Sequence, residues 1–171
     1  MTELVARGRY PHQSAFRQWG EADEKAVAEA MAITGIDNLA PRQVGQLSGG
    51  QRQRVWIAMV LAQETDVLLL DEPTTFLDLT HQLEILELCR RLVDVGGRTA
   101  VAVIHDLNHA CRYATHLIAM KDGAVVAAGS PHDIVTADLV RKVFDVEAVV
   151  VASPVDKSPL VVPVAGTSRD G

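Results

Sequence analysis

Apolar positions in the first third of the chain recur at helical spacing, and from Asp66 onward they gather into short unbroken runs. Met1 to Gln46 is polar and leans toward helix. Within it, Glu21 to Ile33 alternates charged with small apolar residues at helical spacing, and Gly35 ends the pattern. Ser48 to Gln63 reads as a second helix. The rhythm then changes. Val67-Leu68-Leu69-Leu70 is a fully apolar run of the kind found in buried parallel strands. Thr80 to Val95 is an amphipathic helix with Leu83, Leu86, Leu88 and Leu92 near one side, stopped by Gly96-Gly97. Thr99 to Ile104 is a second expected buried strand, and Leu107 to Ala114 is helical.

His116 to Met120 and Ala124 to Ala128 flank Lys121-Asp122-Gly123, the composition of a tight turn between strands. Ser130-Pro131 starts a short helix, because proline tolerates the first helical position after a serine cap. Thr136 caps another helix through Phe144. Glu147 to Ala152 and Leu160 to Val164 suit a terminal hairpin, and Thr167 to Gly171 is expected to be loose. Alternation of strand and helix indicates an α/β layer fold with a parallel sheet. The expected organisation is a helical part over residues 1–62, an α/β core over 63–146, and a C-terminal hairpin with its tail over 147–171.

Composition narrows the class. A chain of 171 residues with 48% hydrophobic and 22% charged residues can bury a core and is not disordered. A net charge of −6 argues against broad nucleic-acid binding, which needs a positive field. Cys89 and Cys111 lack the spacing of metal pairs and read as reduced thiols of a cytosolic protein. No apolar run approaches the roughly 20 residues of a membrane helix, and the N-terminus lacks the apolar centre of a signal peptide. A membrane role would therefore run through a partner.

Three places carry chemistry. The first is Leu47-Ser48-Gly49-Gly50-Gln51, leading into an apolar helix. Ser48 and Gln51 fit a capping box, which satisfies two backbone donors at a helix start. That does not explain two glycines, which cost roughly 1 kcal/mol each inside a helix. Glycines are useful where something approaches the backbone closely, and a helix N-terminus with bare amides suits phosphate. The second is Asp71-Glu72-Pro73-Thr74-Thr75, with Leu77-Asp78 after it, at the carboxyl end of the first strand. Ligand crevices form at that edge of parallel sheets. Asp71 suits Mg²⁺ held through water, since that ion dehydrates reluctantly. Glu72 suits the orientation and polarisation of an attacking water. The third is His105, directly after the second strand, where it could contact a terminal phosphate. A lone histidine there is also consistent with a structural or solvated role.

The ordered set Leu-Ser-Gly-Gly-Gln, Leu-Leu-Leu-Asp-Glu-Pro-Thr, Leu-Asp and His-Asp resembles the ATP-binding-cassette ATPases, from residue 2 to about 165. Finer runs resemble the subgroup that powers import of ferric siderophores, haem and cobalamin, with ferric-siderophore uptake, of ferric dicitrate type, favoured. They are Glu3-Leu4-Val5 with Gly8-Arg9-Tyr10-Pro11, Met59 to Gln63, Asp78-Leu79-Thr80-His81-Gln82, His105 to Ala110 and Cys111-Arg112-Tyr113-Ala114. The resemblance implies a P-loop NTPase-type layer fold with a helical signature subdomain that meets a membrane permease. It implies that Ser48, Gly49 and Gly50 contact the γ-phosphate of ATP held by the opposite subunit, with Gln51 supporting that loop. Asp71 becomes the Walker B carboxylate linked to Mg²⁺ through water, Glu72 the catalytic carboxylate and His105 the switch histidine. Asp78 belongs to the loop that crosses the dimer interface. ATP and Mg²⁺ are the implied cofactors. The implied partners are a second ATPase subunit in a homodimer, permease subunits and, indirectly, a substrate-binding protein, but not nucleic acid. The implied place is the cytoplasmic face of the cell membrane, reached through the permease.

One family element is absent from these residues. The phosphate loop G-x-x-x-x-G-K-[ST] is not found, since none of Lys25, Lys121, Lys142 and Lys157 follows a glycine. Gly45 and Gly50 have the right separation, but Gln51 and Arg52 follow them. The glutamine loop and the adenine-stacking aromatic lack candidates too. The chain thus reads as the C-terminal two-thirds of a nucleotide-binding subunit. In the resembled fold the phosphate-loop strand lies inside the sheet beside the strand ending at His105, so its neighbours lose backbone partners. The expectation is a chain that alone is poorly stable and hydrolyses no ATP. Two other classes remain: a non-catalytic fragment lending its signature loop in trans, and a non-transport cassette ATPase acting on DNA or ribosomes. The charge and the lack of coiled coils speak against the latter.

Overall fold

The computed structural model describes residues 1–13 and 19–164. The loose tail expected over Thr167 to Gly171 lies outside them. The chain divides into two compact units, Met1–Val103 and Ile104–Gly171.

The first unit opens with a short helix α1 (Thr2–Ala6), which runs into a 3-10 segment Arg7–His12 containing Pro11. Helix α2 (Glu21–Thr34) starts where the Asp23 carboxylate accepts the Gly20 N–H, and it ends at Gly35, whose φ of +66° only glycine adopts cheaply. Two single 3-10 turns, Asp37–Leu39 and Val44–Gln46, lead to α3 (Gly49–Leu61). Strand β1 (Val67–Leu70), helix α4 (Leu79–Asp94) and strand β2 (Thr99–Ala102) follow. The helical segment and the β1–α4–β2 segment share one core: Val27, Met31, Val55, Ile57, Leu68 and Ile85 belong to a single buried cluster.

The 3-10 segment is fixed to α3 in two ways. Gly8 lies so close to the α3 backbone that a Cβ there would stand 2.0 Å from the Met59 carbonyl oxygen. Arg9, nearly fully buried, donates through Nε to Asp23 at 2.9 Å and through Nη1 to the Ala62 carbonyl at 2.8 Å and to Glu64 at 2.6 Å. A buried guanidinium needs such partners, because desolvating it alone costs several kcal/mol. Burial works against the Arg9 charge, but the bonds to Asp23 and Glu64 outweigh it and hold its pKa above the ordinary value.

Strands β1 and β2 pair in parallel from Val67↔Thr99 to Leu70↔Ala102, and the Val103 N–H still reaches the Leu70 carbonyl at 2.9 Å. The expectation that both strands are buried fails. Leu68 and Leu70 face the core, whereas Leu69 is 73% exposed and Val67, Val101 and Val103 each 51%. An all-apolar parallel strand needs cover on both faces. Among the described residues the core with α4 covers one face only.

The second unit contains α5 (Leu107–Tyr113), then the antiparallel pair β3 (Leu117–Lys121) and β4 (Ala124–Gly129). Asp122 and Gly123 both take positive φ, the geometry of a two-residue turn whose twist matches the flanking strands. Ser130 caps α6 (Pro131–Ile134), and Thr136 caps α7 (Ala137–Phe144). The hairpin β5 (Ala148–Ala152) and β6 (Pro159–Pro163) closes the unit. Asn108 of α5 donates to the Val161 carbonyl and accepts the Val161 N–H, so one side chain satisfies both backbone groups of a β6 residue.

Candidate functional site

The Ser48 hydroxyl accepts the Gln51 N–H at 3.2 Å, and the Gln51 side chain accepts the Ser48 N–H at 3.1 Å. The capping box read from the sequence is therefore present. It serves the donors of Ser48 and Gln51 and leaves the amides of Gly49 and Gly50 outside the box. Helix α3 is thirteen residues long, so its aligned dipoles place about half a positive charge at this end.

The two glycines have different surroundings. Gly49 is exposed, and a Cβ on it would touch the Leu77 methyl at 3.3 Å. Gly50 is buried, and a Cβ on it would fall 2.2 Å from Cδ2 of His81. His81 lies in the first turn of α4, which Asp78 caps by accepting the His81 N–H at 2.9 Å. The same Asp78 oxygen meets Nδ1 of His81 at 2.6 Å. The His81 backbone N–H and then its ring hold the Asp78 carboxyl below its ordinary pKa. Gln82 donates to the Leu77 carbonyl at 2.9 Å. The Leu77–Gln82 segment and the Ser48–Gln51 turn thus form one packed block. In the sequence His81 stands out only within the run Asp78 to Gln82. Its available signal was a ring nitrogen three residues beyond a capping aspartate.

Asp71 and Glu72 begin the exposed turn that leaves β1. Glu72 has φ of +46°, a left-handed conformation that is uncommon for a residue with a side chain and costs of order 1 kcal/mol. The turn holds it there: the Thr75 N–H donates to the Glu72 carbonyl at 3.2 Å, the Thr75 hydroxyl donates to its carboxylate at 2.9 Å, and Pro73 is buried beneath. His105 belongs to the second unit, exposed on the bend before α5, whose cap Asp106 accepts the His109 N–H. The first unit therefore brings together Ser48, Gly49, Gly50, Gln51 and Asp78, and places Asp71 and Glu72 at the end of β1.

Among the described residues no group of three or more His, Cys, Asp or Glu side chains could hold a metal alone. A single exposed carboxylate, Asp71, fits Mg²⁺, an ion that keeps several waters and takes other ligands from substrate phosphates. No helix among the described residues is long and apolar enough to cross a membrane.

The family model described as ABC transporter matches residues 4–75, the stretch that contains Ser48 to Gln51, Asp71 and Glu72. The ferric enterobactin transport ATP-binding protein FepC of Escherichia coli (strain K12) is 56% identical over 97% of this chain and 61% of its own length. The chain belongs to the ABC transporter ATPase family. Its fold is that of the ABC ATPase cassettes. A metal-chelate type ABC transporter in an inward-facing conformation superposes with a TM-score of 0.88 at 28% identity, over 97% of this chain and 66% of the other. The ATP-binding cassette MJ0796, a dimer in a post-hydrolysis state with ADP and Pi, superposes with a TM-score of 0.60 at 32% identity, over 74% and 56%. The chain spans about three fifths of the length of the curated relatives it matches.

Proposed function

We propose that these residues form the signature and hydrolytic part of the ATP-binding subunit of an importer for ferric siderophores. The observation that carries the reading is the joining of the Ser48–Gln51 turn and the Asp78 segment into one block, in the same unit as the Asp71-Glu72 turn. Likeness to a ferric enterobactin transport ATP-binding protein supports the substrate class, and likeness to a dimeric cassette with ADP and Pi supports two subunits acting on ATP.

In this reading the free end of α3 presents the Gly49 and Gly50 amides and the Ser48 hydroxyl to the terminal phosphate of an ATP carried by a second subunit. Backbone amides at a helix start are already oriented, so holding the growing negative charge needs little rearrangement. Glu72 orients a water for attack on the terminal phosphate of the ATP at its own subunit's site and takes up its proton, a contribution of about 10²–10⁴-fold in rate. The left-handed turn fixes its carboxylate through Thr75. Asp71 holds Mg²⁺ through water, and the ion supplies charge neutralisation on the phosphates. His105 bonds the terminal phosphate and registers its departure. The permease partner docks on the helical part, and the subunit works at the cytoplasmic membrane face.

In the assembled transporter, Glu72→Gln should preserve ATP-driven closure of the dimer and reduce turnover by at least about a hundredfold. Turnover near the normal rate would remove Glu72 from this role. His105→Ala should give a milder loss in the same assay. Residues 1–171 alone, without a phosphate loop, should hydrolyse no ATP, and robust Mg²⁺-dependent hydrolysis by them would overturn the assignment. The self-contained signature block favours one second reading: this stretch could complete a site on an intact subunit in trans. Stimulation of that subunit's ATPase on mixing would support it, and inhibition or no effect would exclude it.

A further inference from the structure

The histidine of the first unit that packs against the Ser48–Gln51 turn is His81, which no part of the mechanism above uses. Its ring fills the place that a Gly50 side chain would occupy, with Cδ2 and Cγ at 2.2 and 2.7 Å from an ideal Cβ. The ring cannot simply swing aside, because Nδ1 is held by Asp78 at 2.6 Å and the His81 backbone is held by the same carboxylate at 2.9 Å. An ionised carboxylate only accepts, so Nδ1 carries the proton of that bond. Asp78 stays ionised to lower pH than a free aspartate because the His81 backbone N–H and ring both donate to it.

We propose that His81 is a positioning residue that ties the Asp78 segment to the first turn of α3, so that the Gly49-Gly50 amides and Asp78 are presented to the second subunit's ATP as a single rigid piece. The proposal rests on the reading above for what that turn contacts. Its geometric core, the Gly50–His81–Asp78 contact, stands independently. Gly50 is then glycine because an imidazole lies against its inner side. Only the outer side remains for a phosphate. A Cβ on Gly49 would touch Leu77 of the same segment, so the two pieces also approach closely beside the first contact.

Two measurements test this, one of which needs no nucleotide. In the 171-residue chain, Gly50→Ala should lower the Tm by about 5 °C with His81 present and by less than about 2 °C in a His81→Ala background. Equal losses in both backgrounds would overturn the contact. In the assembled transporter, His81→Ala should raise the KM for ATP about tenfold, the loss expected when a held geometry is released, while kcat falls less than about threefold. His81→Asn, which keeps a donor near the Nδ1 position without the ring, should return KM to within about threefold of the parent. An unchanged KM in His81→Ala, or an Asn variant no better than Ala, would overturn the positioning role. Glu72→Gln belongs in the same series. Normal turnover there would remove the catalytic reading, and the Tm comparison would still decide the His81 contact.

Discussion

Removing Asp23 should destabilise the first unit more than any single surface change, and the structure gives the size. Asp23 and Arg9 are 1% and 2% exposed and bonded at 2.9 Å. Asp23→Ala strips Nε of its partner in a dry place and also removes the acceptor for the Gly20 N–H at the start of α2. Breaking a buried pair costs about 3–5 kcal/mol, and a lost cap adds about 1 kcal/mol. Glu64, half-exposed, still faces Nη1 and offsets part of this. The expected loss is therefore about 3–4 kcal/mol. Arg9→Met should cost a similar amount, because it leaves the Asp23 carboxylate buried with the Gly20 N–H. The pair Arg9→Met and Asp23→Ala removes both charges together and should recover to within about 2 kcal/mol of the parent. Urea unfolding followed by far-UV circular dichroism gives all four values. Losses below about 1 kcal/mol for both single variants, or a double variant equal to the sum of the singles, would refute the idea that Arg9 and Asp23 act as a coupled buried pair.

Gly8→Ala should cost about 3 kcal/mol in the same assay, because its Cβ would meet the rigid Met59 carbonyl at 2.0 Å rather than a movable side chain; a neutral result would dismiss the close approach. Asn108→Leu should leave both backbone groups of Val161 without their partner, a loss of about 2 kcal/mol, read as roughly thirtyfold faster exchange of the Val161 amide. Burial pushes the Cys89 thiol up to about 11, and burial with the nearby Asp106 charge pushes Cys111 up to about 11. Both should be alkylated at pH 8 about a hundredfold more slowly than an ordinary cysteine. Because the folded state holds these protons more tightly, their contribution to stability is full below pH 9 and is lost as the pH rises through about 11. Rapid alkylation of either thiol in the native chain would contradict its placement.

Local chemistry was the legible part of this chain. Ser48, Ser130 and Thr136 each cap a helix with their own side chain, and a cap depends on neighbours three residues away in sequence. The Asp122-Gly123 turn was legible for the same reason. Burial was harder to read. Val67 and Leu69 have the composition of buried strand residues yet face outward, because burial is decided by what covers a face and not by the residue that occupies it. Arg9 shows the converse. A charged residue between Gly8 and Tyr10 reads as surface, and its partners Asp23 and Glu64 lie 14 and 55 residues away. The site divides in the same manner. Asp71, Glu72 and His105 stand out in the sequence because their residue types suit phosphate chemistry, whereas the spacing of His81 from Asp78 suggests the cap contact but not a ring against Gly50.

That last contact changes how the glycine pair should be read. A pair of glycines at a helix start suggests a backbone kept bare for a ligand, and here Gly49 is barer than Gly50. Gly49 is exposed, and a Cβ there would meet the end of the Leu77 side chain at 3.3 Å and the Phe76 carbonyl oxygen at 4.0 Å, so its outer side is open to an anion. Gly50 is buried, and what approaches it is the imidazole of His81 from within the same chain. One glycine keeps the helix end accessible, and the other lets α4 pack close enough to hold it still. An amide dipole stabilises charge only if it is already pointed before the charge arrives. The packing at Gly50 is thus part of the same electrostatic device as the opening at Gly49, and the Asp78–His81 bond connects that device to the segment proposed to cross toward the other subunit.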